Sequence, residues 1–522
     1  MNGNNTAVLI AMALYVTVII IIAFVYARRS NKSSEDYFLG GRRLGPWVAA
    51  MSAEASDMSG WLLMGLPGVA YFYGASEAAW TAIGLALGTY LNWRFVAKRL
   101  RKYSEKVGAI TIPDFFSNRF HDKKKILMTV ASLLILVFFS IYVGSCFVTT
   151  GKLFNALFGW DYFTLMVIGG IVVFVYTLLG GFLAESVSDF IQGTVMFFSL
   201  IIILVGGVAM AGGVDQVVAF VQSIPGFGSL VQTANPVLVD KTTQAVIAGM
   251  PQFAEAKEFG LVAIISTLAW GLGYFGMPQV LLRFMAIRSS REVGRARRIA
   301  TSWCVVSLFS AVAIGLVGRA LLPADLLTSS SAETIFISLA TLLMPAFLAG
   351  IMMSGILAAT MSSSDSYMLI ASSAVAKNLF GGLLKRKATD RQVLVVARAT
   401  MVAILLFGIF VAADANSSIF DVVAYAWAGF GAAFGPVMLA ALFWRRVNLY
   451  GALAGMLCGG ATIFIWRNLI KPLGEQFEVL GIYELLPGFI VGIVALVVVS
   501  LVTKPPAKAI TDEFDTFMRL KA

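Results

Sequence analysis

The stretch SAEASDMSGWLLMGLPG, residues 52–68, interrupts an apolar segment with polar residues, glycines and a proline. A second stretch, LAWGLGYFGMPQ at residues 268–279, groups glycines and a proline in the same way. Both residue types weaken a helix interior, so each stretch predicts a helix that is broken near its middle. Paired broken helices at matching positions indicate an inverted repeat with a binding site between its halves. The glycines could instead serve close helix packing, an alternative that Asp57 beside the first break disfavours.

The composition places the chain in a membrane. Of its 522 residues, 59% are hydrophobic and 13% are charged, and the formal net charge is +11. Soluble proteins carry about 25% charged residues, so a soluble enzyme, a nucleic-acid-binding protein and a disordered protein are excluded. The single histidine, His121, lies in a charged loop, which argues against a histidine metal site or a catalytic triad. We therefore expect no catalytic residues, no cofactor and no nucleic-acid partner.

Thirteen apolar stretches are candidates for membrane spans, since a transmembrane helix needs about 20 residues. They occupy residues 6–27, 44–73, 78–96, 126–158, 163–183, 189–211, 259–282, 299–322, 335–376, 399–413, 420–443, 450–469 and 480–502. Threading the chain through them places 33 of the 39 Lys and Arg residues on one side. By the positive-inside rule, the N-terminus is then outside and the C-terminus is in the cytoplasm.

The predicted fold class is an all-α polytopic membrane protein with about 13 transmembrane helices around a five-plus-five inverted repeat of the LeuT-like type. The interrupted second and seventh spans open the two repeats. The predicted parts are the first transmembrane helix and cytoplasmic loop (1–43), the first repeat (44–211), an extracellular loop (212–258), the second repeat (259–443), the last two spans (444–503) and a cytoplasmic tail (504–522). We expect the long loop to be partly ordered and the tail to be too short for a folded domain.

An interrupted helix frees backbone groups that can bind ligands. Its N–H groups suit a carboxylate, and its C=O groups suit a small hard cation such as Na⁺. The ninth span includes LAATMSSSDSYML, residues 357–369, which adds four serines and Asp365 to an otherwise apolar helix. A single serine could satisfy its hydroxyl on its own helix, but five neighbouring polar residues favour a polar site.

Carboxylates inside the membrane are costly unless they are paired or hydrated, so each one needs an interpretation. Asp57, near the middle of its span, predicts a functional site. Asp189 either binds an ion or caps the sixth span, and we expect Glu54 and Glu185 to be solvated or salt-bridged. Two aromatic residues beside the second break are candidate walls of a substrate pocket, with ordinary packing as the alternative: Trp270 and Tyr274.

Four segments carry a family resemblance: residues 37–68, 268–286, 356–369 and 425–437. On these segments the chain resembles the sodium:solute symporter family, and the resemblance covers nearly the whole sequence. The run SDMSGWLLMGLPG, residues 56–68, is specific to the branch that transports proline. The resemblance implies a secondary transporter of a bacterial cell membrane, not an enzyme, that imports L-proline with Na⁺ by alternating access.

The resemblance also implies roles for individual residues. The sodium site would consist of Ala55, Asp57, Met58, Ala359, Ser362 and Ser363. The substrate site would consist of Ser59, Gly60, Tyr142, Trp270, Tyr274 and Pro278. A second cation site would include Asp189, Asp365 and Ser366, and Arg42 would act in coupling or gating. Glu54 and Asp365 depart from the family pattern, which has small or hydroxyl residues there, so the Na⁺ stoichiometry stays open.

Three alternatives stay open at this point. A symporter for another amino acid, pantothenate or a sugar would share everything except the substrate pocket. An ion channel would be built from short symmetric subunits, and a transporter-like sensor would carry a signalling domain. The expected partners are L-proline, membrane lipid and Na⁺ as coupling ion, with no other metal, and the oligomeric state is left open.

Overall fold

The computed structural model describes residues 3–30, 34–385, 388–475 and 477–519, which are mostly helical. Lys32, Arg386 and Lys387, which the topology prediction places on the cytoplasmic side, lie outside the described residues. Before the long loop the chain forms α1 (Gly3–Ser30), α2 (Ser34–Leu39), α3 (Pro46–Asp57), α4 (Leu66–Tyr73), α5 (Ala75–Leu91), α6 (Ala97–Lys106), α7 (Ile112–Arg119), α8 (Ile126–Phe158), α9 (Tyr162–Leu179) and α10 (Phe182–Met210).

The second half of the chain repeats the pattern of long apolar helices. After the long loop it forms α12 (Leu261–Leu268), α13 (Pro278–Ala286), α14 (Val293–Leu321), α15 (Ser329–Ala332), α16 (Ile335–Leu343), α17 (Ala346–Ser373), α18 (Asp390–Val411), α19 (Ile419–Phe443), α20 (Leu449–Ile465), α21 (Leu485–Val502) and α22 (Lys508–Arg519). Several helices continue as wider π-helical turns: Trp61–Gly65, Asn92–Val96, Ala374–Leu384 and Trp466–Ile470. Tighter 3₁₀ turns occupy Gly40–Arg42, Ala269–Phe275, Lys471–Glu475 and Glu478–Gly481.

The long loop contains regular structure, as expected for a partly ordered segment. It begins with α11 (Val214–Ser223), which is followed by four short strands. β1 (Gln232–Pro236) pairs antiparallel with β4 (Phe253–Glu258), and β2 (Val246–Ile247) pairs antiparallel with β3 (Met250–Pro251). These two small sheets are an addition to the predicted all-helical architecture.

Among the described residues, nine helices are long and apolar enough to cross a membrane. A tenth candidate is the pair Leu261–Phe275 and Pro278–Ala286, which bends by 41° at its break. The other three predicted spans correspond to α3 with α4, to α5 with its continuation, and to α9. The chain is therefore a polytopic membrane protein, and the count of thirteen spans stays a prediction.

The predicted span 335–376 is wrong in its boundaries, because two helices occupy it. α16 ends at Leu343, and Met344 has an extended backbone with φ −133° and ψ 150°. The next residue is Pro345, and a residue before proline is disfavoured in the helical region. A new helix, α17, begins directly after this proline and continues through the polar serine segment.

α17 forms the centre of the molecule, where it packs against α1, α3, α8 and α10. Its 28 residues include the buried polar segment 362–366, which is surrounded by apolar residues. This segment faces other helices and not lipid. The two broken helices lie beside it, with α3 in contact with α13 and α10. This arrangement brings both breaks and the serine segment to one place.

The connecting segments 106–125 (which contains α7), 286–293 and 444–448 lie on one side, which we call the basic side. The tail adds a helix there, α22, whose Phe514 and Phe517 are buried. The Phe517 ring stacks on Tyr103 of α6 at 4.3 Å, and Asp515 pairs with Arg445 at 2.8 Å. The tail is thus a helix docked on the main helix bundle.

Candidate functional site

The first broken helix changes course directly after Asp57. α3 ends there because Met58 has backbone angles of φ −84° and ψ 72°, and the chain resumes as the π-helical turn Trp61–Gly65. In a continuous helix, the Ala55 carbonyl would accept the amide of Ser59. Here the Ser59 amide donates to the Asp57 carbonyl instead, at 3.1 Å. The break therefore frees the Ala55 carbonyl from its own helix.

The freed Ala55 carbonyl meets α17. The Ser362 hydroxyl donates to it at 2.8 Å and lies 3.2 Å from the Ala359 carbonyl. The next side chain, Ser363, has a buried hydroxyl without a hydrogen-bond partner in the described part of the chain. Met58 is also buried at the break. Carbonyl and hydroxyl oxygens are the ligands that hard cations prefer, so this group of oxygens suits Na⁺.

Asp57 connects the two broken helices. Its carboxylate is buried and accepts a hydrogen bond from the Gln279 side chain at 3.1 Å. Gln279 directly follows Pro278, the first residue of α13 after the second break. The carboxylate also lies close enough to Tyr142 and Tyr274 to interact with them electrostatically. The structure thus places Asp57, one of the predicted sodium residues, beside two predicted substrate residues, Tyr142 and Tyr274.

The second broken helix combines a break with close packing. It narrows to the 3₁₀ turn Ala269–Phe275, and Met277 leaves the helical region with φ −72° and ψ 110°. A Cβ on Gly273 would lie 2.0 Å from the indole nitrogen of Trp427, and one on Gly276 would lie 2.3 Å from a carbonyl oxygen of α19. The packing role that the sequence left open for the glycines is therefore present together with the break.

Trp270 lies in an aromatic cluster beside both breaks. Its ring centroid is 5.5 Å from Trp61, 5.3 Å from Phe420 and 5.0 Å from Tyr483. Its carbonyl accepts a hydrogen bond from the Trp427 indole at 2.8 Å, which fixes the turn against α19. Aromatic walls of this kind suit the apolar part of a small ligand.

The other predicted substrate residues surround the same region. Tyr274 packs edge-on against an indole ring of α19 at 5.0 Å. Tyr142 packs on Tyr367 at 4.3 Å, and its phenol interacts with the Ser59 side chain. Gly60 lies so close to α8 that a Cβ would be 2.3 Å from a threonine of that helix. The structure therefore brings the predicted substrate residues to the two breaks and to the facing part of α8.

A cavity of about 410 Å³ leads to this region from the side opposite the basic side. Trp270 and Phe420 line it, so the cavity reaches the aromatic cluster. Sequence reasoning missed its charged residues, because each lies at the end of an apolar stretch, where charges are common. They are Glu77, Asp421, Arg467 and Lys471.

Arg283 occupies the place between the residues predicted as a second cation site. Its guanidinium is fully buried, pairs with Glu185, and donates to Ser366 at 2.7 Å and to Asp189 at 3.2 Å. The Ser52 hydroxyl also donates to Asp189, at 2.6 Å. Arg283 is one of the 33 Lys and Arg residues that the topology prediction places on the cytoplasmic side, but it does not lie in a loop, because α3, α10, α13 and α17 enclose its side chain.

The structure also shows the surroundings of the other acidic residues inside the membrane. Asp189 lies two turns inside α10, so the capping alternative is excluded, and Glu185 has the expected salt bridge. The expectation for Glu54 is wrong, because this buried carboxylate accepts a hydrogen bond from the Trp93 indole at 3.3 Å. Asp365 accepts the backbone amide of the next residue at 2.7 Å, and its Oδ2 has no partner among the described residues.

Arg42 joins the segment before α3 to the basic-side ends of α13 and α6 and to the loop after α6. It donates to the Met285 carbonyl of α13 at 2.7 Å, to the Ala109 carbonyl at 2.5 Å and to the Ser104 hydroxyl of α6 at 3.1 Å. The neighbouring Leu44 amide bonds to the last carbonyl of α13 at 3.1 Å. The two broken helices are therefore held together at this end, which agrees with a gating role for Arg42.

The profile of the sodium:solute symporter family matches residues 37–459. Among the curated relatives, the high-affinity proline transporter PutP of Bacillus subtilis is 43% identical over 95% of this chain and 98% of its own length. The sodium/proline symporter of Escherichia coli is 41% identical over 98% of this chain and 96% of its own. The sodium/proline symporter of Staphylococcus aureus is 40% identical over 96% of this chain and 94% of its own length.

Two solved structures are similar to this one in fold. A Na⁺-coupled sialic acid symporter, in a substrate-bound outward-open state, has a TM-score of 0.74 at 19% identity over 96% of this chain and 99% of its own. The nucleobase-cation-symport-1 family transporter Mhp1, in a closed conformation, has a TM-score of 0.53 at 12% identity over 92% of this chain and 98% of its own. Both likenesses confirm the predicted LeuT-like transporter fold.

Proposed function

Because the chain belongs to the sodium:solute symporter family, we propose that it imports L-proline together with Na⁺. The observation that carries the sodium part is the Ala55 carbonyl, which the broken helix frees and which accepts a hydrogen bond from Ser362 of α17. The same hydroxyl lies 3.2 Å from the Ala359 carbonyl. The proline part is supported by relatives that are named proline transporters and align over nearly the whole chain. The family and the transporter fold agree with a transporter and not with an enzyme.

We propose that Na⁺ binds between α3 and α17. Its ligands would be the oxygens of Ala55, Met58, Ala359, Ser362 and Ser363, with Asp57 supplying negative charge nearby. Bound there, Na⁺ joins a broken helix to the centre of the molecule and favours one state of the transporter. Each charge that moves inward through a membrane potential gains about 2.3 kcal/mol per 100 mV, which can drive uptake.

Proline would bind next to this site, between the two breaks. Its carboxylate would bind at the backbone of the first break, near Ser59 and Gly60. Its ring would pack on Trp270 and Tyr274, with Tyr142 and Pro278 completing the pocket. Rocking of the repeat 44–211 against the repeat 259–443 would then expose both ligands to the other side.

We propose the orientation that the positive-inside rule indicates, with the N-terminus outside and the basic side in a bacterial cytoplasm. In this orientation the cavity beside Trp270 faces outward, and Arg42 holds the two broken helices together at the cytoplasmic end. Opening toward the cytoplasm would require the Arg42 contacts to separate, so this residue would act as part of the inner gate.

We propose a second cation site that is limited to the surroundings of Asp365 and Ser366. Arg283 supplies one positive charge to a buried group with three carboxylates: Glu185, Asp189 and Asp365. A cavity of about 10 Å³ lined by Glu185 and Asp365 has room for about one water-sized particle. A proton or a small cation that binds near Asp365 and Ser366 would balance part of the excess negative charge.

Uptake of radiolabelled proline in cells without other proline transporters tests the proposal. We expect uptake that requires Na⁺ and that unlabelled proline reduces more than other amino acids, pantothenate or sugars do. Sodium-dependent uptake of one of those competitors, without uptake of proline, would identify a sibling transporter and contradict the substrate assignment.

We expect Ser362→Ala to raise the Na⁺ concentration that gives half-maximal uptake by about fivefold, because one uncharged oxygen contact is worth about 1 kcal/mol. Ser364→Ala is the matched control, since the Ser364 hydroxyl donates to Thr360 of its own helix. Proline uptake at increasing Na⁺ concentrations measures both variants. Equal Na⁺ dependence of the two variants would argue against Ser362 as a ligand.

We expect Trp270→Ala to weaken the apparent affinity for proline by about tenfold, because it removes a buried aromatic wall. Trp270→Phe should keep most of the affinity, and Trp160→Ala, at an exposed tryptophan, should keep all of it. The KM for proline at saturating Na⁺ is the measurement. A KM for Trp270→Ala equal to that of the original protein would reject the pocket.

A further inference from the structure

An apolar groove lies on the outer surface of the helix bundle, away from the transport site. It has a volume of about 520 Å³ and is formed by α3, α10 and α14. Trp47 and Phe198 line it and are 57% and 55% exposed. Since these helices cross a membrane, exposed aromatic side chains of this kind face lipid and not water.

The walls of the groove are fixed by the packing of α10 and α14. The Trp303 indole donates to the Gly193 carbonyl at 3.0 Å, which holds its ring against α10. Phe197 of α10 stacks on the same indole at 6.5 Å. The groove is therefore a built feature of the helix interface, because its two aromatic walls are held in place.

The innermost wall of the groove touches the helix that carries the proposed sodium site. Met51 of α3 lines the groove one helical turn before Ala55. At the same level Gly193 approaches both of them, since a Cβ there would lie 3.1 Å from Met51 and 3.2 Å from Ala55. A molecule in the groove would thus contact α3 directly behind the Ala55 carbonyl.

Arg298 lines the groove where α14 begins, at the basic side. Its side chain is exposed, and the described part of the chain offers it no ion pair. Two other basic residues of this segment are engaged elsewhere: Arg297 lies over the Tyr90 ring, and Arg288 pairs with Glu292 at 2.6 Å. None of the residues that line the groove is acidic. The groove therefore combines an apolar body with one unpaired positive charge at its end.

We propose that this groove binds an anionic phospholipid. One acyl chain lies along the aromatic walls, and the phosphate of the head group pairs with Arg298. Trp47 lies close to the start of α3 on the same side, a position that tryptophan favours at the membrane interface. An anionic head group fits better than a zwitterionic one, because the lining has a cation for the phosphate and no carboxylate for an ammonium group.

The bound chain has a structural consequence for the transporter. It fills the space beside Met51 and so supports the packing of α3 on α10 behind the proposed sodium site. We expect the lipid to raise the thermal stability of the protein. This effect does not depend on the transported solute, so its test is separate from the test of proline uptake.

The purified full chain in a neutral detergent allows the test. The unfolding temperature is measured during titration with phosphatidylglycerol or phosphatidylcholine, and native mass spectrometry counts the bound lipids. We expect a saturable rise with phosphatidylglycerol and a smaller rise with phosphatidylcholine. Glycerol phosphate, which has no acyl chains, should leave the unfolding temperature unchanged.

Two variants separate the head group from the acyl chain. Arg298→Gln should raise the half-saturating phosphatidylglycerol concentration about fivefold, since one basic residue at the membrane surface is worth about 1 kcal/mol. Arg297→Gln is the matched control and should behave like the original protein. Ser302→Trp should reduce binding by filling the groove without changing its charge.

Three results would overturn the proposal. An equal rise of the unfolding temperature with the two phospholipids would show that the head-group charge does not matter. An equal rise with glycerol phosphate and phosphatidylglycerol would show that the acyl chain does not matter. Binding to both Arg298→Gln and Ser302→Trp that equals binding to the original protein would place the lipid elsewhere.

Discussion

Asp57→Asn is expected to raise the Na⁺ concentration for half-maximal proline uptake by about 10- to 100-fold, the cost of losing a group that supports a bound metal ion. Asp57 is buried two residues after Ala55, so its charge acts on a cation there with little screening by water. The amide of asparagine keeps the size of the side chain and can still accept from Gln279, which preserves the link between the two breaks.

The measurement is proline uptake over a range of Na⁺ concentrations, with the amount of protein in the membrane determined in parallel. Asp161→Asn is the control, because this exposed aspartate caps α9 by accepting the Thr164 amide at 2.8 Å. It should leave the Na⁺ dependence unchanged. The sodium site as proposed would be refuted by an Asp57→Asn variant that transports with the original Na⁺ dependence.

Arg283→Gln is expected to destabilise the protein by about 3–5 kcal/mol, the cost of breaking a buried ion pair from one side. The substitution leaves Glu185 and Asp189 buried without their positive partner, and it removes a donor from Ser366. Thermal unfolding of the purified protein and the folded yield in membranes both report this loss.

Two further variants show whether uncompensated charge causes the loss of stability in Arg283→Gln. Adding Glu185→Gln to Arg283→Gln should restore part of the stability, because it removes one of the uncompensated carboxylates. Arg288→Gln breaks an exposed pair with Glu292 and should cost less than about 1 kcal/mol. Similar losses of stability for Arg283→Gln and Arg288→Gln would contradict the prediction that the buried ion-pair cluster stabilises the protein more than an exposed pair does.

The fold follows from the sequence where local chemistry is strong. The two glycine- and proline-rich segments predict two breaks, and the structure has both, at Met58 and Met277. The prediction of a single span over 335–376 missed the separation of α16 from α17, although Pro345 is a local signal for it inside this long apolar stretch. The helix α22 was harder to predict, since its two buried phenylalanines have a partner surface only in the folded protein.

The candidate site was predictable in its oxygen-bearing residues and not in its buried ion pairs. Ser362 is conspicuous because hydroxyls are clustered in an apolar span, and the structure brings it to Ala55. Arg283 is different, because in the sequence it stands close to five other arginines of a basic segment. Its burial depends on the packing of four helices, three of which come from distant parts of the chain.

The most direct test of the central claim uses the purified protein in liposomes. An inward Na⁺ gradient is imposed, and the internal concentration of radiolabelled proline is compared with the external one. We predict accumulation above the external concentration, which disappears when the gradient is removed with an ionophore. Equilibration of proline to the same level with and without the Na⁺ gradient would contradict sodium-coupled import.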